Sequence, residues 1–128
     1  MKRQVGLWID HKETFAVFIG DDGEQTKRIE SGMEKHVRFS GGNRSEEGSA
    51  DDQRDRRFRA HLNRYYDEVI SSIRDAESIL LFGPGEAKKE LEKRLAGQGL
   101  GGRIVAVETA DKMTGGEISA KVRQHFRH

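Results

Sequence analysis

The stretch Ser78–Gly85, with the sequence SILLFGPG, decides the fold class of this chain. Ile79–Phe82 is a continuous apolar run without the alternation of a half-exposed strand, which is typical of a strand covered on both faces in a parallel sheet. The glycines and proline that follow then end the strand, because both residue types interrupt regular structure. Since parallel neighbours require crossover connections, this stretch predicts an α/β domain.

Working outward, helical periodicity appears on both sides of this strand. Apolar residues recur every three or four positions from about Asp52 to Arg74, which predicts a long amphipathic helix. A second helix follows the strand and is closed by Gly97. Arg103–Val107 then predicts another strand, and a last helix begins where Thr114 and Glu117 have the spacing of a capping box.

The first thirty residues have the pattern of antiparallel strands. Val5–Ile9 and Phe15–Ile19 are short runs rich in β-branched and aromatic residues, and the polar turn between them predicts a hairpin. After the Asp22-Gly23 dipeptide, which suits a tight turn, Gln25–Glu30 alternates like a third, more exposed strand. The opening therefore predicts an antiparallel meander.

The resulting order of elements is βββαβαβα. Strand-helix-strand crossovers are right-handed almost without exception, so strands four and five should lie parallel beside strand one, and the hairpins extend the other edge. This predicts an α/β fold with a mixed five-stranded sheet of order 3-2-1-4-5 and helices on its faces. That arrangement is ribonuclease H-like.

Composition limits the function classes that the chain can belong to. Its 128 residues suit a single domain, 1–128, and the absence of cysteine excludes disulfides and thiolate chemistry. The five histidines show no paired metal-ligand spacing, so we predict no metal and no cofactor. The opening residues lack the apolar run of a secretory signal and no stretch is long enough to span a bilayer, so we expect a cytoplasmic protein without membrane contact. A net charge of +1 means that any RNA contact must come from local patches.

One such patch falls in a polar segment at about 31–50, where apolar residues nearly vanish and we predict a flexible loop. Paired glycines allow close backbone approach to a partner, and basic side chains beside them offer phosphate contacts. A solvated linker is the alternative. The candidate residues are Lys35, Arg38, Gly41, Gly42, Asn43 and Arg44.

A second patch lies on the long helix. It contains Arg54, Arg56, Arg57, Arg59 and Arg64, which we predict to bind RNA phosphates. Acidic residues nearby, from Asp51 to Glu68, leave open a helix face whose charges pair with one another.

Three further features favour structural roles. Asp10 stands where ribonuclease H-like nucleases hold a metal-binding carboxylate, but the other carboxylates are missing and a turn residue is the better interpretation. For Gly83-Pro84-Gly85 we favour a strand-to-helix turn over an anion site, because Glu86 would repel a phosphate. Trp8 and the pair Tyr65-Tyr66 are expected in the core.

Across almost its whole length the chain resembles the middle domain of the archaeal and eukaryotic peptide-chain release factor and of its relative Pelota. The stretches that carry the resemblance are Val5–Asp10, Phe15–Gly20, Lys35–Asn43, Arg56–Arg59 and Ile79–Lys88. The chain is still more similar to small stand-alone bacterial proteins labelled translational machinery proteins.

The resemblance implies a role in translation, with the ribosome or tRNA/rRNA as partner. In the release factor a Gly-Gly-Gln loop promotes hydrolysis of peptidyl-tRNA, and Gly41, Gly42 and Asn43 stand at its place here. Asparagine keeps the amide but is one methylene shorter, so a weakened peptidyl-tRNA hydrolase is one expectation. Pelota lacks the motif and binds ribosomes without catalysing release, which favours a non-catalytic protein that binds the ribosome or structured RNA. An interaction or stress module without RNA contact is the third alternative.

Overall fold

The computed structural model describes residues 3–21, 23–32 and 48–126, with the backbone only for 48–55. A short 3-10 turn, Gly101–Arg103, precedes the last strand. The strands are β1 (Gln4–Ile9), β2 (Glu13–Gly20), β3 (Gly23–Glu30), β4 (Ser78–Gly83) and β5 (Ile104–Thr109). The helices, numbered here in chain order, are α1 (Gly48–Ile73), α2 (Ala87–Gly97) and α3 (Gly115–Phe126).

The sheet has the order β3-β2-β1-β4-β5, as the sequence predicts. β1 pairs in parallel with β4, and β4 pairs in parallel with β5. β2 and β3 extend the other edge in antiparallel pairing. The predicted mixed α/β sheet is therefore confirmed.

The long helix begins earlier than predicted. It starts at Gly48, so the last three residues of the predicted loop at about 31–50 belong to the first turn of α1. Ser31 and Gly32 lie outside any helix or strand, and the rest of that segment falls outside the described residues. Within the part of the chain that is described, no helix has the combined length and apolarity needed to cross a bilayer.

The central strands β1 and β4 are buried on both faces of the sheet, whereas most of β3 is exposed. Ile79 and Leu81 point into a core formed with α1 and α2, whereas Leu80 and Phe82 pack on the opposite face with Ile118 of α3 and its neighbours. These four side chains of β4 are fully buried, which explains why Ile79–Phe82 shows no apolar-polar alternation.

The last helix lies close to the first strand because Gly6 has no side chain. A Cβ atom at Gly6 would lie 2.5 Å from Cγ2 and 2.9 Å from Cγ1 of the fully buried Val122. The start of α3 is held by the predicted capping box, in which the backbone N–H of Glu117 donates to Thr114 Oγ1 and that of Thr114 donates to Glu117 Oε1.

We expect Gly6→Ala to lower the free energy of unfolding by about 1–3 kcal/mol, since the new methyl group overpacks the contact with α3. Val122→Ala alone should cost about 2 kcal/mol through lost burial. Because the smaller residue makes room for the larger one, the double variant should be more stable than the sum of the two losses by about 1 kcal/mol. Urea denaturation measures all three. Gly20→Ala, which meets nothing within 4 Å, is the control, and losses additive within about 0.5 kcal/mol would contradict this packing.

Candidate nucleic-acid interface

The middle of α1 presents arginine side chains to solvent. Those described are Arg56, Arg57, Arg59 and Arg64, and all are exposed. Arg57 and Arg64 are two turns apart, so they point in nearly the same direction, roughly 10 Å from each other along the helix axis. Leu62, Tyr65 and Val69, on the other side of α1, are buried against the sheet. The face of α1 that carries Arg57 and Arg64, called here the basic face, is thus directed away from the core.

Carboxylates among the described side chains do not neutralise these arginines. In the described part of the chain, none of the four forms an ion pair. Asp67, an acidic residue on the same helix, is instead held by Arg94 of α2 at 2.6 Å. The alternative of a self-paired helix face therefore fails for the side chains that are described.

An aromatic and polar group of residues borders this basic face. The rings of Phe58 and His11 meet edge to face with their centroids 6.4 Å apart. His11 Nε2 lies 3.1 Å from Glu90 Oε1, and the Tyr66 hydroxyl donates to the same carboxylate oxygen at 2.5 Å. The turn after β1 is thereby joined to both α1 and α2.

Hydrogen bonds also order the turn between β1 and β2. Asp10 Oδ1 accepts from the backbone N–H groups of Lys12 and Glu13, each at 2.8 Å. The Tyr65 hydroxyl donates to the carbonyl of Asp10 at 3.1 Å and lies 2.7 Å from Thr14 Oγ1. Asp10 is therefore a turn residue, in agreement with the interpretation favoured by the sequence. Among residues 3–21, 23–32 and 48–126, no three His, Cys, Asp or Glu side chains are grouped as a metal site would require.

Ser31, just after β3, is tied to the same region. Its hydroxyl donates to the carbonyl of His11 at 2.8 Å, and its backbone N–H donates to the carbonyl of Lys12 at 2.8 Å. The carbonyl of Ser31 is in turn hydrogen bonded to Nε2 of His61 on α1. The end of β3, the β1–β2 turn and α1 are thus held together at the carboxyl edge of β1.

The two tyrosines at the base of this region are held in their protonated form. Burial raises the pKa of the Tyr65 hydroxyl, and the hydrogen bond with Thr14 offsets only part of that effect. Burial also raises the pKa of Tyr66, and both the hydrogen bond to Glu90 and its negative charge raise it further. Both hydroxyls therefore remain hydrogen-bond donors well above neutral pH. Their burial, and that of Trp8, confirms the predicted core positions.

The turn Gly83-Pro84-Gly85 has the structural role that the sequence favoured. The side chain of Lys88 is buried, and its ammonium group donates to the carbonyl of Gly85 at 2.6 Å. The carbonyl of Gly83 accepts from the backbone N–H of Ala110 at 3.0 Å. The turn is therefore bonded to its own helix and to the end of β5.

The predicted site residues divide into two groups. Arg56, Arg57, Arg59 and Arg64 share one exposed helix segment, and Arg54 belongs to the same helix without a described side chain. The others stay predictions, because they lie outside the described residues: Lys35, Arg38, Gly41, Gly42, Asn43 and Arg44.

Sequence reasoning missed the contact of Phe58 with His11 and the bond of His11 to Glu90. His11 and Glu90 are 79 positions apart, so no local spacing marks them. Helical spacing alone places Phe58 among the apolar positions that pack against the core. The available signal was its place in Arg56-Arg57-Phe58-Arg59, where charged neighbours surround a large aromatic residue.

Comparisons with known proteins identify the class of fold. No protein-family profile and no curated protein sequence matches the chain. Among solved structures, Pelota from Thermoplasma acidophilum is similar over 96% of this chain and 32% of its own, with 18% identity and a TM-score of 0.61. Pelota from Archaeoglobus fulgidus is similar over 96% of this chain and 31% of its own, with 15% identity and a TM-score of 0.57.

An archaeal translation termination factor, aRF1, has the same arrangement. It matches 95% of this chain and 34% of its own, with 12% identity and a TM-score of 0.54. The chain therefore spans about a third of the length of each of these proteins. At these identities the likeness shows the fold, and it confirms the fold that the sequence resemblance implied.

Proposed function

We propose that this chain is a translation-associated protein that binds the ribosome or structured RNA through the outward face of α1. The observation that carries the proposal is a set of exposed arginines that form no ion pair within the described part of the chain, on a domain with the fold found in Pelota and in a translation termination factor. RNA presents a dense row of phosphates, and arginine is well suited to bind them because its planar guanidinium donates several hydrogen bonds at once.

The charge distribution supports a local interface. With a net charge of +1, the chain has no strong overall attraction to a polyanion. Arg57 and Arg64 project together, and the carboxylate of Asp67 is occupied by Arg94. Phosphate attraction is therefore concentrated on the middle turns of α1. Lys35, Arg38 and Arg44 remain proposed additional contacts, since they rest on sequence alone.

The proposal is limited to binding. The hydrolase alternative depends on Gly41, Gly42 and Asn43, which lie outside the described residues. The described residues contain the acid-base pair His11 and Glu90, but this pair is used to hold the β1–β2 turn against α2. No described contact favours catalysis over binding.

The test is cosedimentation with purified ribosomes over a range of salt concentrations. We expect binding of the native chain to fall steeply with salt, and Arg57→Gln/Arg64→Gln to weaken it about 10-fold at low salt. If two phosphate contacts are lost, the slope of log K against log salt should become shallower by roughly 1.4 to 1.8. Glutamine keeps the helix propensity of arginine, so the helix itself should persist.

The matched control is Arg28→Gln/Arg123→Gln, which removes the same charge from β3 and α3. These two arginines pair with Glu13 and Glu24 away from the basic face of α1. The control should bind as the native chain does. A native chain that stays in the supernatant at low salt would disprove binding to the ribosome, and equal losses in both double variants would disprove the basic face of α1 as the interface. Association that survives nuclease treatment would favour the interaction module without RNA contact.

A further inference from the structure

Phe58 is an exposed aromatic residue on α1, at the border of the basic face. In the described part of the chain, only Phe58 and Val105 are large apolar side chains with substantial exposure, at 37% and 50%. Val105 lies in β5, at an irregularity in its pairing with β4. Arg57 and Arg59 precede and follow Phe58 on the helix, so an exposed arginine projects about 100° to either side of it.

The ring of Phe58 is supported from one side. Its edge-to-face contact with His11 leaves at least one face of the Phe58 ring unused by that contact, whichever of the two rings supplies the edge. His11 is itself held by Glu90, and Glu90 accepts a second hydrogen bond from the buried Tyr66. The aromatic surface is therefore positioned before any partner arrives, which lowers the ordering cost of binding.

Charge and shape together indicate the chemistry of the partner. A flat aromatic surface accepts another flat ring, and adjacent cations attract phosphates, which is the combination that binds single-stranded nucleic acid. Around the helix, Arg57 and Arg64 lie on the outward side of Phe58, within reach of the backbone of a nucleotide stacked there. Glu68 is an exposed acid on the same flank, one turn beyond Arg64. Glu90 is already engaged by His11 and Tyr66.

We propose that Phe58, supported by His11, stacks an unpaired base of single-stranded RNA whose phosphates contact Arg57 and Arg64. This inference rests on the proposed function and specifies its RNA. Bases inside a duplex are stacked on their neighbours and offer no free face, whereas loops and single strands present splayed bases to aromatic side chains. The site therefore prefers unpaired RNA over a duplex of equal charge.

The experiment measures binding of fluorescently labelled RNA by anisotropy. The probes are a single-stranded oligouridylate of about ten nucleotides, within the usual size of such sites, and an RNA duplex with the same number of phosphates. Phe58→Leu keeps an apolar side chain and a good helix former but removes the ring. It should weaken binding of the single strand about 10-fold and leave the duplex unchanged, while Phe58→Trp should bind the single strand at least as tightly as the native chain.

Val105→Ala is the control, because it alters the other exposed apolar residue and should change neither affinity. Equal binding of the single strand by Phe58→Leu and the native chain, with a loss in Arg57→Gln/Arg64→Gln, would overturn the stacking site and leave the proposed function standing. A native chain that binds neither RNA nor ribosomes would disprove both the stacking site and the proposed function. Circular dichroism shows whether Phe58→Leu is folded. If it is not, the affinities of the native chain for the two RNAs are compared instead, and tighter binding of the duplex than of the single strand would overturn the inference.

Discussion

Gly83→Ala is expected to lower the free energy of unfolding by about 3–5 kcal/mol, from backbone strain and overpacking together. Gly83 has a φ of +148°, a conformation that side chains with a Cβ rarely adopt. A Cβ atom there would lie 2.3 Å from the carbonyl oxygen of Ile9. Since that oxygen belongs to the backbone at the end of β1, only a shift of β1 against β4 would relieve the clash.

Gly85→Ala separates the two causes of this loss. Gly85 also has a positive φ, +66°, but a Cβ atom there meets nothing within 4 Å. Its substitution should cost only the strain of a left-handed residue, about 1 kcal/mol. Urea denaturation of both variants measures the difference. Equal losses at the two positions would mean that close approach to β1 is not what requires glycine at the end of β4.

Stability is expected to fall steeply above about pH 10 because Tyr65 and Tyr66 are buried. The folded-state pKa of each hydroxyl lies above the usual value near 10. Ionisation therefore favours the unfolded chain: the contribution of each tyrosine is fully present below about pH 10 and is lost as pH rises beyond it. While both tyrosine hydroxyls stay protonated in the folded state, the free energy of unfolding should fall by about 2.7 kcal/mol for each pH unit above this value.

Tyrosinate absorbance tests this directly, since the chain has two tyrosines and both are in the core. In urea they should ionise with a midpoint near pH 10, and in the folded protein the signal should appear only with unfolding. Lysines titrate in the same pH range, so Tyr66→Phe is the control that isolates the effect of the tyrosines. The free energy of unfolding of this variant should fall by about 1.4 kcal/mol less per pH unit than that of the native chain. A folded protein whose tyrosines ionise gradually near pH 10 would contradict the buried hydroxyls.

The architecture was predictable because it follows from local pattern and one general rule. The uninterrupted apolar run at Ile79–Phe82 indicated a strand buried on both faces, and β4 is such a strand. The hairpin at Val5–Ile9 and Phe15–Ile19 is also observed. Together with the right-handed crossover rule, these elements predicted the sheet order 3-2-1-4-5, which is the order observed. The start of α1 was missed because Gly48–Asp51 contain no large apolar residue to mark helical spacing.

The candidate site was only partly predictable. Helical spacing placed Arg57 and Arg64 on one flank, but whether nearby acids neutralise them depends on partners from distant parts of the chain. Asp67 is held by Arg94 of α2, 27 positions away. The support of Phe58 by His11 likewise depends on how the β1–β2 turn meets α1. Contacts of this kind follow from packing, and no local pattern in the sequence encodes them.

The contact between Gly6 and Val122 also affects how the chain folds during its synthesis. The first strand lies beneath the last helix, and Gln4 pairs with Ser78 in the sheet. During synthesis the hairpin of β1 and β2 emerges before the rest of this domain, yet one of its faces stays uncovered until α3 leaves the exit tunnel. Closure of such distant contacts is slow and exposes apolar surface in the meantime. The nascent chain therefore completes this core only after α3 has been synthesised.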